Sequence, residues 1–277
     1  MRPSDGDADA VRDLDRDGAT LSTAGSGVRW ELALRTDRAP FPSADARRAF
    51  LRAVDRQALV QAALGDRADE AQLVDSILFR GGTRLAEYAL EDAGFAEAFP
   101  RTDEEEAAAL RDAAAVPAGT RVCVAYDRGD AFAAAALPAL AAQAAAAGWS
   151  VADCGADDLA AALAGDGWHA VLRAAAVPGD VEAIASRWRD GGVTALRSGE
   201  REGLLDEALA TADQEALETT LLEVEATLVD DAALLPIAEQ PQLTVSAPGL
   251  QNVAPRPGPA PLTWNAWEWG LEPQATP

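Results

Sequence analysis

Between residues 120 and 190 short β-rich runs alternate with helical patterns, and this alternation limits the fold more than any other feature of the chain. Arg121-Val-Cys-Val-Ala-Tyr126 reads as a strand, an Ala-rich helical pattern follows from about 130 to 147, and Gly148 stops it. Trp149-Ser-Val-Ala-Asp153 reads as a second strand and Trp168-His-Ala-Val-Leu-Arg173 as a third, with helices near 157–164 and 180–188 after them. Strands separated by helical stretches favour βαβ units and a parallel sheet, and such crossovers are nearly always right-handed. The expected class is therefore α/β, with βαβ units around a mixed, mainly parallel sheet. Pro138 falls inside the Ala-rich pattern, which predicts either a kink there or a later helix start.

Length and charge narrow the function. A chain of 277 residues can bury one sizeable core or two modest ones. Its 46 acidic residues outnumber 23 basic ones, all arginine, for a net charge of -23. Such a surface repels phosphate backbones and anionic lipid, so neither nucleic acid nor a membrane surface is an expected partner. No apolar run has spanning length. Met1-Arg-Pro-Ser-Asp-Gly-Asp-Ala-Asp is polar and acidic where a signal peptide needs an apolar segment. Read literally, the chain stays in the cytoplasm where it is made; as a fragment of a longer protein it would carry no such implication.

No motif supports catalysis, and no cofactor or metal is expected. His169 is the only histidine, so neither a Ser-His-Asp triad nor a His-based metal cluster can be assembled, and it reads as a strand-end packing residue. Asp13-Leu-Asp15-Arg-Asp17-Gly18 imitates the start of a calcium loop, but the twelfth position, where a bidentate Glu is needed, is Ala24. Gly81-Gly82 and Gly191-Gly192 belong to no phosphate-binding pattern. Glu104, Glu105 and Glu106 read as a solvated face. Cys123 and Cys154, in or just after strands, read as buried thiols, with a bridge between neighbouring strand regions as the alternative.

Upstream, residues 1–27 are acidic, rich in Gly and Ser, and expected to be poorly ordered. Val28-Arg-Trp-Glu-Leu-Ala-Leu34 alternates as a strand would, and Pro40 and Pro42 break it. Ser43 is placed to cap a single helix over about 44–64, with Phe50, Leu51, Val54 and Leu59 on its buried face and Asp55 on its exposed side. Thr102-Asp-Glu-Glu105 reads as a capping box ahead of another helix. The run from 255 to 261 is Pro-rich extended linker.

In order, a strand, Pro40-Phe41-Pro42, Asp45-Ala-Arg-Arg48-Ala49-Phe50 and Ala53-Val54-Asp55-Arg56-Gln-Ala-Leu59-Val60 resemble the family 5 extracellular solute-binding proteins, the peptide- and nickel-type receptors of ABC importers. Asp75-Ser76-Ile77-Leu78-Phe79, the frame over 120–190, Asp230 to Ile237, and the tail through Gly249-Leu250-Gln-Asn252-Val253 and Trp264-Asn265-Ala-Trp267-Glu-Trp269 follow in the same order. The likeness covers about 28–269 and only the later half of such a receptor. It implies the second, C-terminal lobe of a periplasmic-binding-protein-like type II fold: 28–39 as a strand crossing from the first lobe, 40–246 as the lobe, and 247–277 as a Pro- and Trp-rich return segment. It also implies an extracytoplasmic, lipoprotein-related binder of a small solute or peptide that delivers to an ABC permease without covalent chemistry. The alternative is an interaction or scaffold lobe in envelope biogenesis.

Open α/β sheets take ligands at the carboxyl ends of their strands. Those ends offer Tyr126, Asp127 and Arg128, and Arg173 near the third strand, as ligand contacts; Trp267, in the Trp cluster, could pave a ligand face or pack on other protein. Peptide-binding members of the family carry an acidic residue soon after the third strand. Here that stretch is Ala174-Ala-Ala-Val-Pro178-Gly179, and Asp180 comes late, in position to cap a helix instead.

Overall fold

The computed structural model describes residues 19–99, 103–254 and 262–271. The calcium-like turn at 13–18 and the Pro-rich run at 255–261 lie outside them. The chain divides into two compact units, Val28–Glu239 and a smaller one made of Met1–Gly27 with Gln240–Pro277.

The larger unit is a mixed α/β lobe. Strand β1 (Thr20–Leu34) starts ahead of the expected Val28 and is followed by α1 (Ala44–Leu51) and α2 (Arg56–Leu64). The single helix expected over 44–64 is therefore two. Asp55 sits at φ -82, ψ 102, its carboxylate accepts from the Ala58 N–H at 3.0 Å, and its own N–H donates to Gln143 Oε1 at 3.0 Å. A short acidic side chain that satisfies a helix-start donor competes with continued helix, so Asp55 is a cap rather than an exposed pairing partner. Ser43 caps α1 as expected.

Next come β2 (Gln72–Leu73), α3 (Arg84–Asp92), α4 (Phe95–Ala98) and α5 (Glu104–Ala113). The cap of α5 is Asp103, one residue later than the capping box implied; its Oδ1 takes the N–H groups of Glu105 and Glu106. Glu104, Glu105 and Glu106 are exposed.

The alternating frame then appears as read: β3 (Thr120–Asp127), α6 (Ala131–Ala146), β4 (Trp149–Ala156), α7 (Leu159–Ala164), β5 (Ala170–Ala176) and α8 (Val181–Trp188). Helices α9 (Gly199–Ala210) and α10 (Gln214–Asp231) and strand β6 (Leu234–Ser246) complete it. Asp130, Asp158 and Asp180 cap α6, α7 and α8 through their side chains. Helix α6 runs unbroken past Pro138. Pro138 and Ala134, whose carbonyl loses its helical donor, are both exposed, so water can take that carbonyl.

The sheet order is β2–β6–β1–β5–β3–β4. β3 pairs parallel with β4 and β5, while β1 runs antiparallel to β5 with Glu31 opposite Arg173. The core gathers on this sheet: Trp30 stacks on Phe132 with ring centroids 3.8 Å apart, and Phe41, Phe50 and Trp149 meet on the α1 side at 5.2–6.0 Å. Phe41 and Phe50 are wholly buried, each contributing about 1.5–3 kcal/mol of apolar transfer.

Cys123 and Cys154 form a disulfide, Cα atoms 5.6 Å apart, so the reading of two free thiols is corrected. The parallel register sets Cys154 opposite Ala125, two residues beyond Cys123 on the same face, which brings the sulfurs together. Beside them His169 Nδ1 accepts the Cys123 N–H at 2.9 Å, a packing role at the strand end as expected.

In the smaller unit β7 (Leu250–Gln251) pairs antiparallel with β8 (Gly270–Leu271), and a 3-10 turn covers Leu262–Glu268. Asn265 is fully buried there; its amide donates to Asn252 O at 2.7 Å and its Oδ1 accepts the Trp269 indole at 2.9 Å.

Candidate functional site

Tyr126 and Asp127 end β3, and Arg128 opens the turn that follows. The Tyr126 ring is buried against Gly155 of β4, where an added Cβ would lie 2.6 Å from Cζ, and its hydroxyl donates to Asp153 Oδ2 at 3.3 Å. Burial raises the phenol pKa and the Asp153 charge raises it further. Asp127 folds back to accept the Gly129 N–H at 2.8 Å. Arg128 is exposed and only loosely paired, 3.4 Å from Asp157. An exposed pair of that kind is worth a fraction of a kcal/mol, so the guanidinium is available to other anions.

Arg173 is placed differently. Its Nε and Nη2 both donate to Glu31 Oε1, at 3.1 and 2.9 Å. Glu31 is fully buried on β1 and also accepts from Arg29 at 3.3 Å and, through both oxygens, from Arg187 of α8 at 2.7 and 2.6 Å. Burial by itself would raise the Glu31 carboxyl; Arg187, Arg29 and Arg173 outweigh it and hold the pKa below the ordinary glutamate value. Arg173 is thus committed within the lobe. Trp267 belongs to the smaller unit, 76% exposed, its ring edge-to-face with Trp264 at 6.3 Å.

Sequence reasoning missed a cavity of about 400 Å3 inside the larger unit, between the segment Leu78–Leu85 and the start of α8. Leu78, Phe79, Leu85, Pro178, Val181, Ile184, Leu217 and Leu221 give it an apolar lining, with Arg80, Thr83 and Asp180 at its polar positions. Those polar groups are already engaged. Asp180 caps α8, Thr83 Oγ1 donates to Arg80 O at 2.8 Å and accepts from Ala86 N at 3.3 Å, and Arg80 pairs with buried Glu239 at 3.0 Å. The volume falls in the range of small-molecule sites, and the lining favours an apolar group.

One wall of this cavity is the segment at 76–79, held by two buried ions. Glu225 of α10 accepts the Ile77 and Leu78 N–H groups at 2.6 and 2.7 Å, and Arg29 donates to Ser76 O at 2.9 Å and Ile77 O at 2.5 Å. Burial raises the Glu225 carboxyl, against those N–H groups and the Arg29 charge. A signal for Glu225 was present: it shares a helical face with Leu221, Val224 and Leu228, so a carboxylate interrupts an apolar stripe. Arg29 and Glu31 gave none, because alternation with Trp30 and Leu32 reads as a strand with one wet face.

Among the described residues no group of three or more His, Cys, Asp or Glu side chains could hold a metal ion, and no helix is long and apolar enough to cross a membrane.

No protein-family model matches the sequence, and no curated protein matches it. Solved structures do match at low sequence identity, and they establish the fold as that of periplasmic-binding-protein-like type II proteins over about half their length. In particular, the chain resembles the ABC transporter substrate-binding protein CtaP of Listeria monocytogenes, with TM-score 0.78 and 16% identity over 90% of this chain and 52% of that one. It also resembles the periplasmic EDTA-binding protein EppA, with TM-score 0.79 and 18% identity over 97% and 53%. A third likeness is to clavulanic acid biosynthesis oligopeptide binding protein 2, with TM-score 0.67 and 23% identity over 88% and 47%. These neighbours are binding proteins rather than enzymes.

Proposed function

We propose that this chain forms the C-terminal, solute-recognising lobe of an extracytoplasmic substrate-binding protein that delivers to an ABC permease. The observation that carries the reading is the apolar cavity of about 400 Å3 in a lobe with this fold. Matched structures are named for oligopeptide and for EDTA, so the fold accommodates chemically different solutes. The work expected of the lobe is non-covalent: capture against a second lobe, closure, and docking on the permease. Arg128 and Asp127, at the carboxyl end of β3 and not among the residues lining that cavity, are proposed as contacts for polar parts of the solute. Tyr126 and Arg173, committed inside the lobe, would act by holding the strand ends, and Trp267 would face solute or protein from the smaller unit.

The Cys123–Cys154 disulfide supports an oxidising compartment, independently of the fold. The test is thermal stabilisation on addition of di- and tripeptides, metal chelates and small aromatic acids. A ligand at about a hundred times its Kd should stabilise the protein by about 2.7 kcal/mol. No shift with any class would count against solute binding. It would favour the second reading, an interaction lobe in envelope assembly, for which exposed Trp267 and Leu271 (76% and 78%) are the supporting observation.

A further inference from the structure

We infer that Glu225, Arg29 and Arg187 are positioning residues for the cavity: Arg29 of β1 and Glu225 of α10 hold one wall, and Arg187 of α8 fastens the other to Glu31 of β1, so solute affinity depends on them more steeply than folding does. The inference rests on the proposed solute-binding role of that cavity.

The first wall is the segment at 76–79. Its inward backbone groups are bound by ions rather than by sheet: Ile77 and Leu78 N–H by Glu225, Ser76 and Ile77 carbonyls by Arg29. Ser76 Oγ takes the Phe79 N–H at 2.8 Å, which fixes the turn whose Leu78 and Phe79 side chains line the cavity. The second wall is the start of α8, which contributes Val181 and Ile184. Farther along that helix Arg187 grips both oxygens of Glu31 and donates to Ala176 O at 2.7 Å. Arg29 and Glu31 lie two residues apart on the same face of β1 and touch each other. Both walls are therefore fastened to one short stretch of one strand.

Buried ions are a poor device for stability, since well-packed apolar side chains of similar volume often do as well. What directional, bidentate bonds supply is geometry. Two arginines and two glutamates committed to holding a loop and a helix suit a site whose shape must be kept, and a displacement of about 1 Å in such a wall is enough to lower affinity roughly tenfold or more.

The variants are Glu225→Gln and Arg187→Lys. In Glu225→Gln one oxygen can still accept, but the amide NH2 meets the other backbone N–H, so the 76–79 wall must move. Arg187→Lys keeps the charge and loses the fork. Arg201→Lys is the control: Arg201 is buried and bonded to Asp231 and Leu196 O, with no part in the cavity. Indole, small enough for the cavity, is the probe. Binding is followed by calorimetry, unfolding by urea titration, and amide exchange at Ile77 and Leu78 by NMR. The expected result is roughly tenfold weaker indole binding in both cavity variants, with faster exchange at those amides in Glu225→Gln. Arg201→Lys should lose stability yet bind as the wild type does. Equal affinities in all four proteins, with only stability changed, overturn the inference while leaving the cavity a solute site. A wild-type protein that does not bind indole overturns the solute reading of the cavity and the inference with it.

Discussion

At the scale of single residues, several groups have one task that neighbours dictate. Gly155 is glycine because the Tyr126 ring occupies the place of a Cβ. Gly155→Ala should cost about 1–3 kcal/mol in urea unfolding, because the ring must leave its place. The cost should shrink when Tyr126→Ala is made in the same chain, since the two residues are in contact. Additive costs would show that the ring is not what excludes the methyl. His169 accepts a backbone N–H through Nδ1 and so must be neutral there; burial first, then Arg38 and Arg121, hold its pKa below 6.5. A histidine depressed in the fold contributes stability that is present above its unfolded value and lost as pH falls through the folded one. Stability should therefore drop on acidification below about pH 6.5, before the carboxylates titrate, and His169→Gln should flatten that part of the profile. An unchanged profile in the variant would assign the drop to other groups.

At the scale of elements, pairing and capping decide more than propensity. The stretch 44–64 has helical periodicity throughout, yet it breaks because Asp55 finds a helix-start donor and a partner on α6. Periodicity reports which side is buried, and both halves do bury one side; it does not report whether the axis is continuous. The disulfide illustrates the same limit. The sequence placed Cys123 in one strand and Cys154 just after the next, but only the observed register, with β4 running on to Ala156, puts them on one face at bonding distance. Because the bridge closes a loop of 31 residues, its removal by Cys123→Ala/Cys154→Ala should lower stability by about 3–4 kcal/mol on the chain-entropy account. A loss within experimental error in urea would show that the β3–β4 ladder holds the pair without it.

Across the whole molecule the excess of negative charge matters most. A net -23 repels itself in the compact state, and exposed pairs such as Arg128–Asp157, Arg189–Asp206 and Arg197–Asp190 offset little of it. Added sodium chloride should screen the repulsion and raise the melting temperature between low and physiological ionic strength, and a fall would mean that the arginine pairs outweigh it.

What the residues determined by themselves was local: strands alternating with helices over 120–190, glycine and aspartate stops and caps, and the strand ends where Tyr126, Asp127 and Arg128 lie together. Those features depend on neighbours a few positions apart, so they are written in the order of the chain. The tertiary structure alone decided which arginines are exposed and which are paired with a buried carboxylate. Arg128 and Arg173 look alike as sequence, but Arg173 lies opposite Glu31, which three arginines share across two strands and a helix. It also decided the cavity, which exists only because segments from 78, 178 and 217 onward converge. The physical reason is distance along the chain: desolvation and ion pairing act between residues brought close by the sheet, and one-dimensional spacing carries no record of them.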